Sequence, residues 1–406
     1  MKVNKWTLGL AAVGLVSLPA ITQAEEKASS VMTALSSTTI SGYVSTSMEW
    51  NPGSGNANVP GFAFNNGKQD GFNLDVVKLT IERPLDESQW SAGYKVDVLF
   101  GPDANALATQ SSLTSDSDFG VKQAYVALRA PVGNGLDLKL GVWDTIIGYE
   151  TFDAGSNPNY TRSYGYTIEP TTHTGLLATY QVNSTLGIAG GIANTFGPNI
   201  NARSNPPKAE SYKTYMGSVA LTAPDSFGFA KGATLYGCVI NGFNSAAQAG
   251  VGGQQTSWYV GATVPTPLTG LKVGAAYDYA RAGSTATSGA VHQDAASGYA
   301  SFQATEKLSF HARGEYFWQS GTLATALFNN ASGPPFSVIP SKVVALTGTI
   351  QYDLWKNVLS RLEVRWDHSA NGQPAYGVDL NNPNAATLPP DLKNAVLIAA
   401  NIIYKF

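Results

Sequence analysis

The chain has 406 residues, of which only 13% are charged and 42 are glycine, and its formal net charge at pH 7 is −3. A soluble secreted protein of this length normally carries about a quarter charged residues. The net charge is too small to indicate nucleic acid or another strongly charged partner. The single cysteine, Cys238, excludes an intrachain disulfide and a cysteine metal cluster. We therefore expect no cofactor, and a chain class other than a soluble globular protein.

The N-terminus has the pattern of a secretory signal peptide. Two lysines precede an apolar run over residues 8–21, and small residues follow it up to Ala24. We predict a signal peptide over 1–24 and a short N-terminal segment over 25–37. The alternative is a membrane-anchoring helix, for which the run is short. No later run of about 20 apolar residues occurs that would predict a transmembrane helix.

From Thr38 onward, segments in which apolar and polar residues alternate recur to the end of the chain, as expected for strands with two different faces. The segment SRLEVRWD alternates most clearly, with Leu362, Val364 and Trp366 on one face. We predict about sixteen strands, an even number typical of bacterial transmembrane barrels. They cover residues 40–50, 72–83, 90–100, 121–130, 136–142, 172–180, 185–193, 212–222, 232–241, 257–264, 271–280, 297–305, 308–318, 341–352, 360–367 and 395–406.

The connections alternate between short and long along the whole predicted barrel. The short ones cover 84–89, 131–135, 181–184, 265–270, 305–307 and 353–357, and the long ones 51–71, 101–120, 144–171, 194–211, 242–256, 281–296, 319–340 and 368–394. Short turns on one side and long loops on the other are typical of an outer-membrane barrel with short periplasmic turns and long extracellular loops. A β-sandwich, a jelly roll or a β-propeller does not sort its connections in this way. We predict an all-β, antiparallel, up-and-down transmembrane β-barrel over 38–406.

Aromatic residues of the apolar face concentrate at the two ends of the predicted strands. Such girdles form where amphipathic rings meet the two membrane–water interfaces. The long-loop ends carry Trp50, Phe100, Trp258, Tyr279, Trp318 and Trp366, and the short-turn ends carry Trp90, Tyr180, Tyr352, Tyr404 and Phe406. A soluble core, which is the alternative, would place rings in the middle of strands as readily.

The last strand ends on Tyr404 and Phe406 of the same face. A terminal strand of this kind must close the barrel against the first strand and seat its aromatic end at the lipid boundary. We expect these two residues to act as a terminal assembly signal for the barrel-assembly machinery. The predicted localisation is the outer membrane of a Gram-negative-type bacterium.

The polar faces of the strands should line the interior, since a charge facing lipid at mid-depth costs about 2–4 kcal/mol for Arg or Lys. A barrel of about sixteen strands is too wide for its own side chains to fill. The predicted pore-lining residues, at mid-height, are Lys78, Lys95, Asp97, Lys139, Arg313, Glu315, Arg361, Glu363 and Arg365. The alternative is that pairs two residues apart, Arg313 with Glu315 and Arg361 with Glu363, neutralise each other.

The third long loop, residues 144–171, is rich in acids. In porins the third long loop folds inward and narrows the channel, so we expect this one to form a constriction. Its charged residues are Asp144, Glu150, Asp153, Arg162 and Glu169. An acidic loop facing a basic wall would create a transverse field that favours small polar solutes. Reversal of Glu150 and Asp153 to lysine should then change the cation/anion permeability ratio. The alternative is a loop that lies outside, over the mouth.

The segment from Ala124 to Tyr180 resembles the β-barrel porin-2 (OmpL-like) family. The resemblance is sharpest over about 50 residues and consists of a strand, a Pro-Gly turn, a strand ending in Gly and a Gly-Tyr-Glu loop. The matching residues are Pro131, Gly133, Gly135, Gly141, Gly148, Tyr149, Glu150, Asn157, Asn159 and Tyr160. The resemblance implies an outer-membrane, porin-like barrel and transfers no substrate.

Together these patterns favour an outer-membrane porin that forms a water-filled channel for passive diffusion of ions and small polar solutes. The expected partners are outer-membrane lipid, the barrel-assembly machinery and the solutes, and the class favours a homotrimer. The alternatives are a closed-lumen structural or adhesive barrel and a hydrophobic-compound transporter. We do not expect an enzyme, because none of the four histidines (His173, His292, His311 and His368) has a spacing that supports catalysis.

Overall fold

The computed structural model describes residues 31–32, 37–55, 59–60, 68, 70–107, 118–204, 212–244, 254–283, 290–320, 340–377 and 390–406. The predicted signal peptide over 1–24 lies outside the described residues. No helix among the described residues has the length and apolar character needed to cross a membrane.

Sixteen antiparallel strands form one closed barrel, which confirms the predicted fold class. A two-residue strand, β1 (Val31–Met32), pairs with the start of the first barrel strand. The barrel strands are β2 (Thr39–Trp50), β3 (Gly71–Arg83), β4 (Ser91–Phe100), β5 (Phe119–Ala130), β6 (Leu136–Asp144), β7 (Thr172–Gln181), β8 (Leu186–Ala193), β9 (Thr214–Thr222), β10 (Thr234–Phe243), β11 (Gln254–Pro265), β12 (Leu271–Ala282), β13 (Val291–Gln303), β14 (Leu308–Gln319), β15 (Lys342–Trp355), β16 (Val358–Ser369) and β17 (Asn394–Lys405). Each pairs with its neighbours in sequence, and β17 pairs with β2 to close the ring. Two short helices, α1 (Pro102–Leu107) and α2 (Tyr164–Ile168), lie in the long loops.

The two faces of each strand differ because the side chains of a strand point alternately to either side of the sheet. In β16, Leu362 and Val364 are about half exposed on the outer face, whereas Glu363 and Arg365 are buried inside the barrel. The outer face therefore presents apolar side chains to lipid, and the polar face is turned inward, as the alternation predicts.

Some strands are longer than their patterns predict. β13 begins at Val291 instead of residue 297, because its polar first half pairs in register with β12 up to Ala282. β15 continues to Trp355, so that its turn into β16 needs only two residues, and Asn357 takes a positive φ there. The connection from β9 to β10, on the short-turn side, spans 223–233 and contains a 3₁₀ helix, Asp225–Ala230.

The C-terminal residue lies on the seam between the last and first barrel strands. The Phe406 N–H donates to the Gly42 carbonyl and the Gly42 N–H donates to the Phe406 carbonyl, both at 3.0 Å. A Cβ atom at Gly42 would collide with the Lys78 carbonyl and lie 2.8 Å from Cζ of Phe406. A glycine at this position therefore lets the terminal ring pack directly on the first barrel strand.

Candidate channel interior

Residues 145–171, the loop between β6 and β7, hold their own shape through internal hydrogen bonds. The Asn157 side chain accepts from the Thr151 N–H at 2.8 Å and donates to the Thr151 carbonyl at 2.7 Å. The Arg162 guanidinium donates to the carbonyls of Thr151, Phe152 and Tyr160 at 3.0, 2.6 and 2.8 Å. The Arg162 guanidinium thus donates its hydrogen bonds to carbonyls within the loop. We refer to residues 145–171 as the inner loop.

The first turn of the inner loop packs on an apolar part of the barrel wall. The five consecutive strands β7 to β11 contain no Asp, Glu, Lys or Arg at all. Ile146 and Ile147 join a buried cluster with Leu177, Met216 and Ile240 from this wall. Burial of each such side chain contributes about 1.5–3 kcal/mol. This contact seats the loop inside the barrel on the uncharged side.

Arg313 on β14 connects the inner loop to the charged side of the wall. Its guanidinium donates to Glu150 at 2.8 Å, to Glu315 at 2.7 Å and to the carbonyl of Thr161 at 2.7 Å. All three charged side chains are almost completely buried. A buried charge is tolerated only when it is paired and hydrogen-bonded, so this group of contacts holds together as a unit.

Arg365 on β16 continues the same network toward helix α2. It pairs with Asp367 at 2.9 Å and donates to the carbonyl of Arg162 at 2.7 Å. Tyr164, the first residue of α2, donates its hydroxyl to Asp367 at 2.8 Å and its N–H to Glu315 at 2.7 Å. The charges of two strands thus fix the start of α2.

Arg361 and Glu363 bond to the inner loop instead of forming the mutual pair considered from the sequence. Arg361 donates to the carbonyls of Ala154 and Asn157 at 2.8 and 2.7 Å. Glu363 accepts from the N–H groups of Tyr160 and Thr161 at 2.6 and 2.9 Å, the latter through its other oxygen. Same-strand pairs of arginine with an acid do form on β14, between Arg313 and Glu315, and on β16, between Arg365 and Asp367.

The opposite edge of the inner loop is tied to β2 and β3. Lys78 lies 2.9 Å from Asp153 and 3.3 Å from Asp97, and the Tyr43 hydroxyl donates to Asp153 at 3.1 Å. Burial raises the pKa of Asp153, but the charge and hydrogen bond of Lys78 outweigh it and bring the pKa below its ordinary value. Asp144, at the end of β6, pairs with Lys122 at 2.5 Å.

Glu169, near the end of the inner loop, meets Asp278 of β12 carboxyl to carboxyl. Two carboxyl groups bond to one another only when one of them carries a proton. Burial, followed by the charge and hydrogen bond of Asp278, raises the pKa of Glu169 well above its ordinary value. Gly148, with φ of +117°, lies directly beneath the Glu169 carboxylate, where a Cβ atom would collide.

The inner loop divides the interior into a filled part and an accessible part. Every barrel strand has at least one buried inward-facing residue in its half nearer the long loops. Nearer the short turns, some inward side chains are buried, such as Tyr236 and Ile403, and others remain partly exposed. The side chain of Lys95 is 24% exposed, 3.1 Å from Glu82, and Lys139 lies half-buried with its Nζ 4.9 Å from the centre of the Tyr125 ring.

Two predicted pore-lining residues lie somewhat nearer the short turns than the long loops. β6 starts at Leu136 and β16 at Val358, so Lys139 and Arg361 are each the fourth residue from a short turn. The other predicted pore-lining residues lie on inward faces as well: Lys78, Lys95, Asp97, Arg313, Glu315, Glu363 and Arg365.

Sequence reasoning missed several residues that contact the inner loop. The Tyr160 hydroxyl donates to Glu49 at 2.8 Å and to Asp75 at 3.1 Å, so the loop also reaches β2 and β3. Asp278 and Asp367 occupy inward positions, which strand alternation could have identified. Among the described residues, no group of three or more His, Cys, Asp or Glu side chains is placed to hold a metal ion.

A closed sixteen-stranded barrel with lipid-facing apolar residues, a charged interior and an inward loop defines an outer-membrane porin. The family model described as "Putative beta-barrel porin-2, OmpL-like" matches residues 37–406, and the chain belongs to this family. No curated protein matches the sequence.

Solved porin structures share the fold at low sequence identity. The anion-selective porin from Comamonas acidovorans is 10% identical, with a TM-score of 0.59, and the match covers 91% of this chain and 99% of that one. The outer membrane channel DcaP of Acinetobacter baumannii is 10% identical, with a TM-score of 0.55 and coverage of 91% and 97%. The trimer form of in-vitro folded OmpT from Vibrio cholerae is 12% identical, with a TM-score of 0.54 and coverage of 91% and 99%.

Proposed function

We propose that the protein forms a water-filled channel for passive diffusion of ions and small polar solutes across the outer membrane. The observation that carries this proposal is a closed sixteen-stranded barrel whose interior is lined by charged side chains from opposite walls. A ring of this size encloses more space than its own side chains fill. The channel is proposed to act without catalysis, with outer-membrane lipid and the barrel-assembly machinery as its partners.

In this proposal the inner loop is the constriction. The ion pairs of Glu150 with Arg313 on β14 and of Asp153 with Lys78 on β3 tie the loop to two separate parts of the wall, and in this proposal they leave a narrow path. Glu150 and Asp153 each contact a basic residue. The transverse electric field between acidic and basic groups therefore acts over contact distance and not across an open gap. A narrow path of this kind admits small solutes and excludes bulky ones.

A closed-lumen structural barrel is the second candidate. It is favoured by the buried inward-facing residues that every strand carries in its half nearer the long loops. If these residues seal the interior permanently, the barrel conducts nothing.

Single-channel recording on the purified, refolded protein in a planar bilayer distinguishes the two candidates. We expect stable open steps of low conductance, with heat-denatured protein as the inactive control. A barrel that is folded, as judged by a heat-dependent shift in gel mobility, but electrically silent would overturn the porin proposal in favour of the closed-lumen barrel.

A further inference from the structure

The accessible part of the interior, nearer the short turns, has more basic than acidic side chains. We call this region the vestibule and define it by its inward-facing charged residues. Five are basic and three are acidic, which leaves a net charge of +2: Lys95, Arg129, Lys139, Lys272 and Lys405 against Glu82, Asp137 and Asp353. Arg361 is not counted, because it is buried and its guanidinium donates to carbonyls of the inner loop.

Two of the three vestibule acids form ion pairs with neighbouring basic residues. Glu82 lies 3.1 Å from Lys95. Asp137 accepts two hydrogen bonds from Arg129, at 2.6 and 2.7 Å, in the bidentate geometry that makes such pairs strong. The remaining positive charge therefore resides mainly on the other bases of the vestibule.

Lys139 is a vestibule base with no ion pair among the described residues. It faces the interior from β6, and its Nζ lies 4.9 Å from the centre of the Tyr125 ring. Among the residues that the structure describes, no carboxylate oxygen lies within 4 Å of the amine of Lys139 or of the exposed Lys405 on β17. An aromatic face supports an ammonium group without neutralising its charge.

The acids of the inner loop do not offset this excess in the vestibule. Glu150 and Asp153 are paired with Arg313 and Lys78, and Glu169 shares a hydrogen bond with another carboxyl group. A cleft with one sign of charge and low-dielectric walls concentrates ions of the opposite sign. The accessible water on the short-turn side of the inner loop should therefore be enriched in anions.

We infer that the vestibule is a binding region for small anionic solutes, such as carboxylates and phosphate, and that the channel prefers anions to cations. This inference rests on the proposed channel function. Lys139 and Lys405 determine the preference, because their charges face the vestibule and neither has a carboxylate partner in the part of the chain that the structure describes. A charged wall of this kind is a general means by which pores select ions.

The test is the reversal potential of the refolded channel in a potassium chloride gradient, with added phosphate as a competing anion. We expect a chloride/potassium permeability ratio above 1, and a reduction in chloride conductance when phosphate is added. Lys139→Glu and Lys405→Glu should each lower the ratio by about twofold or more, since each moves the vestibule charge by two units. Lys139→Arg should retain the ratio of the unmodified protein.

Lys307→Glu is the matched control, because Lys307 is exposed in a short turn outside the vestibule and the change in charge is the same. Heat-dependent gel mobility establishes that each variant is folded. A conducting channel that prefers potassium, or a Lys139→Glu variant with the same ratio as Lys307→Glu, overturns the anion preference alone. A folded but silent protein overturns the proposed channel, and the anion preference with it.

Discussion

At the scale of single residues, Arg313 is a buried charge that depends on its hydrogen-bond partners. Its side chain is completely buried. It donates to Glu150 and to two carbonyls of the inner loop, and to Glu315 of its own strand. Its removal would leave Glu150 and Glu315 as buried charges with fewer partners, and buried acids without compensation are costly.

We therefore predict that Arg313→Ala destabilises the folded barrel by about 3–5 kcal/mol and increases single-channel conductance, because the inner loop loses its main contact with β14. Denaturant unfolding in detergent and planar-bilayer recording measure the two effects. Arg83→Ala, which removes an exposed arginine at the end of β3, is the control and should change neither quantity.

Unchanged conductance in a folded Arg313→Ala variant would show that the inner loop does not limit the channel. Reversal of Glu150 and Asp153 to lysine would be less informative. Each reversal would change the charge of the loop and also break an ion pair, the buried pair with Arg313 or the partly exposed pair with Lys78.

At the scale of elements, the contact between the inner loop and β12 depends on a proton. The pKa of Glu169 is raised by burial and by Asp278, with a smaller contribution from Glu150. The folded state therefore binds a proton that the unfolded chain releases near the ordinary pKa of a glutamate. The sign follows from linkage: stability is highest below that ordinary pKa and falls as the pH rises toward the raised one.

We predict that the melting temperature of the unmodified protein falls as the pH rises from about 5, and that Glu169→Gln weakens this dependence because glutamine cannot ionise. Thermal unfolding followed by heat-dependent gel mobility at increasing pH provides the measurement. Glu306→Gln, in an exposed short turn, is the control. Parallel pH profiles for the unmodified protein and Glu169→Gln would contradict the assignment.

At the scale of the whole molecule, the closed sheet and its apolar outer face suit assembly in a membrane. We predict the homotrimer that the sequence analysis favours for a barrel of this class. Light scattering of the detergent-solubilised protein, corrected for bound detergent, should give a mass about three times that of one chain. A mass equal to one chain would contradict it, and the heat-denatured protein provides the monomer reference.

The sequence by itself determined the architecture of this protein. Side chains of a strand point alternately to either face, and in a membrane barrel one face meets lipid and the other the interior. A short segment such as Leu362–Trp366 is therefore enough to identify which residues face outward and which face inward. The order of short and long connections then established an up-and-down barrel. These signals are local in the chain, and the alternation recurs along the sixteen barrel strands.

Only the tertiary structure decided how the interior is arranged. Glu169 meets Asp278, and Glu150 meets Arg313, across long stretches of chain, so no local pattern predicts either contact. Arg361 and Glu363, two residues apart, bond to the inner loop instead of to each other. A buried charge must be paired, and it pairs with the groups that lie near it once the barrel has closed. Which groups these are depends on all sixteen strands together, because all of them form the ring.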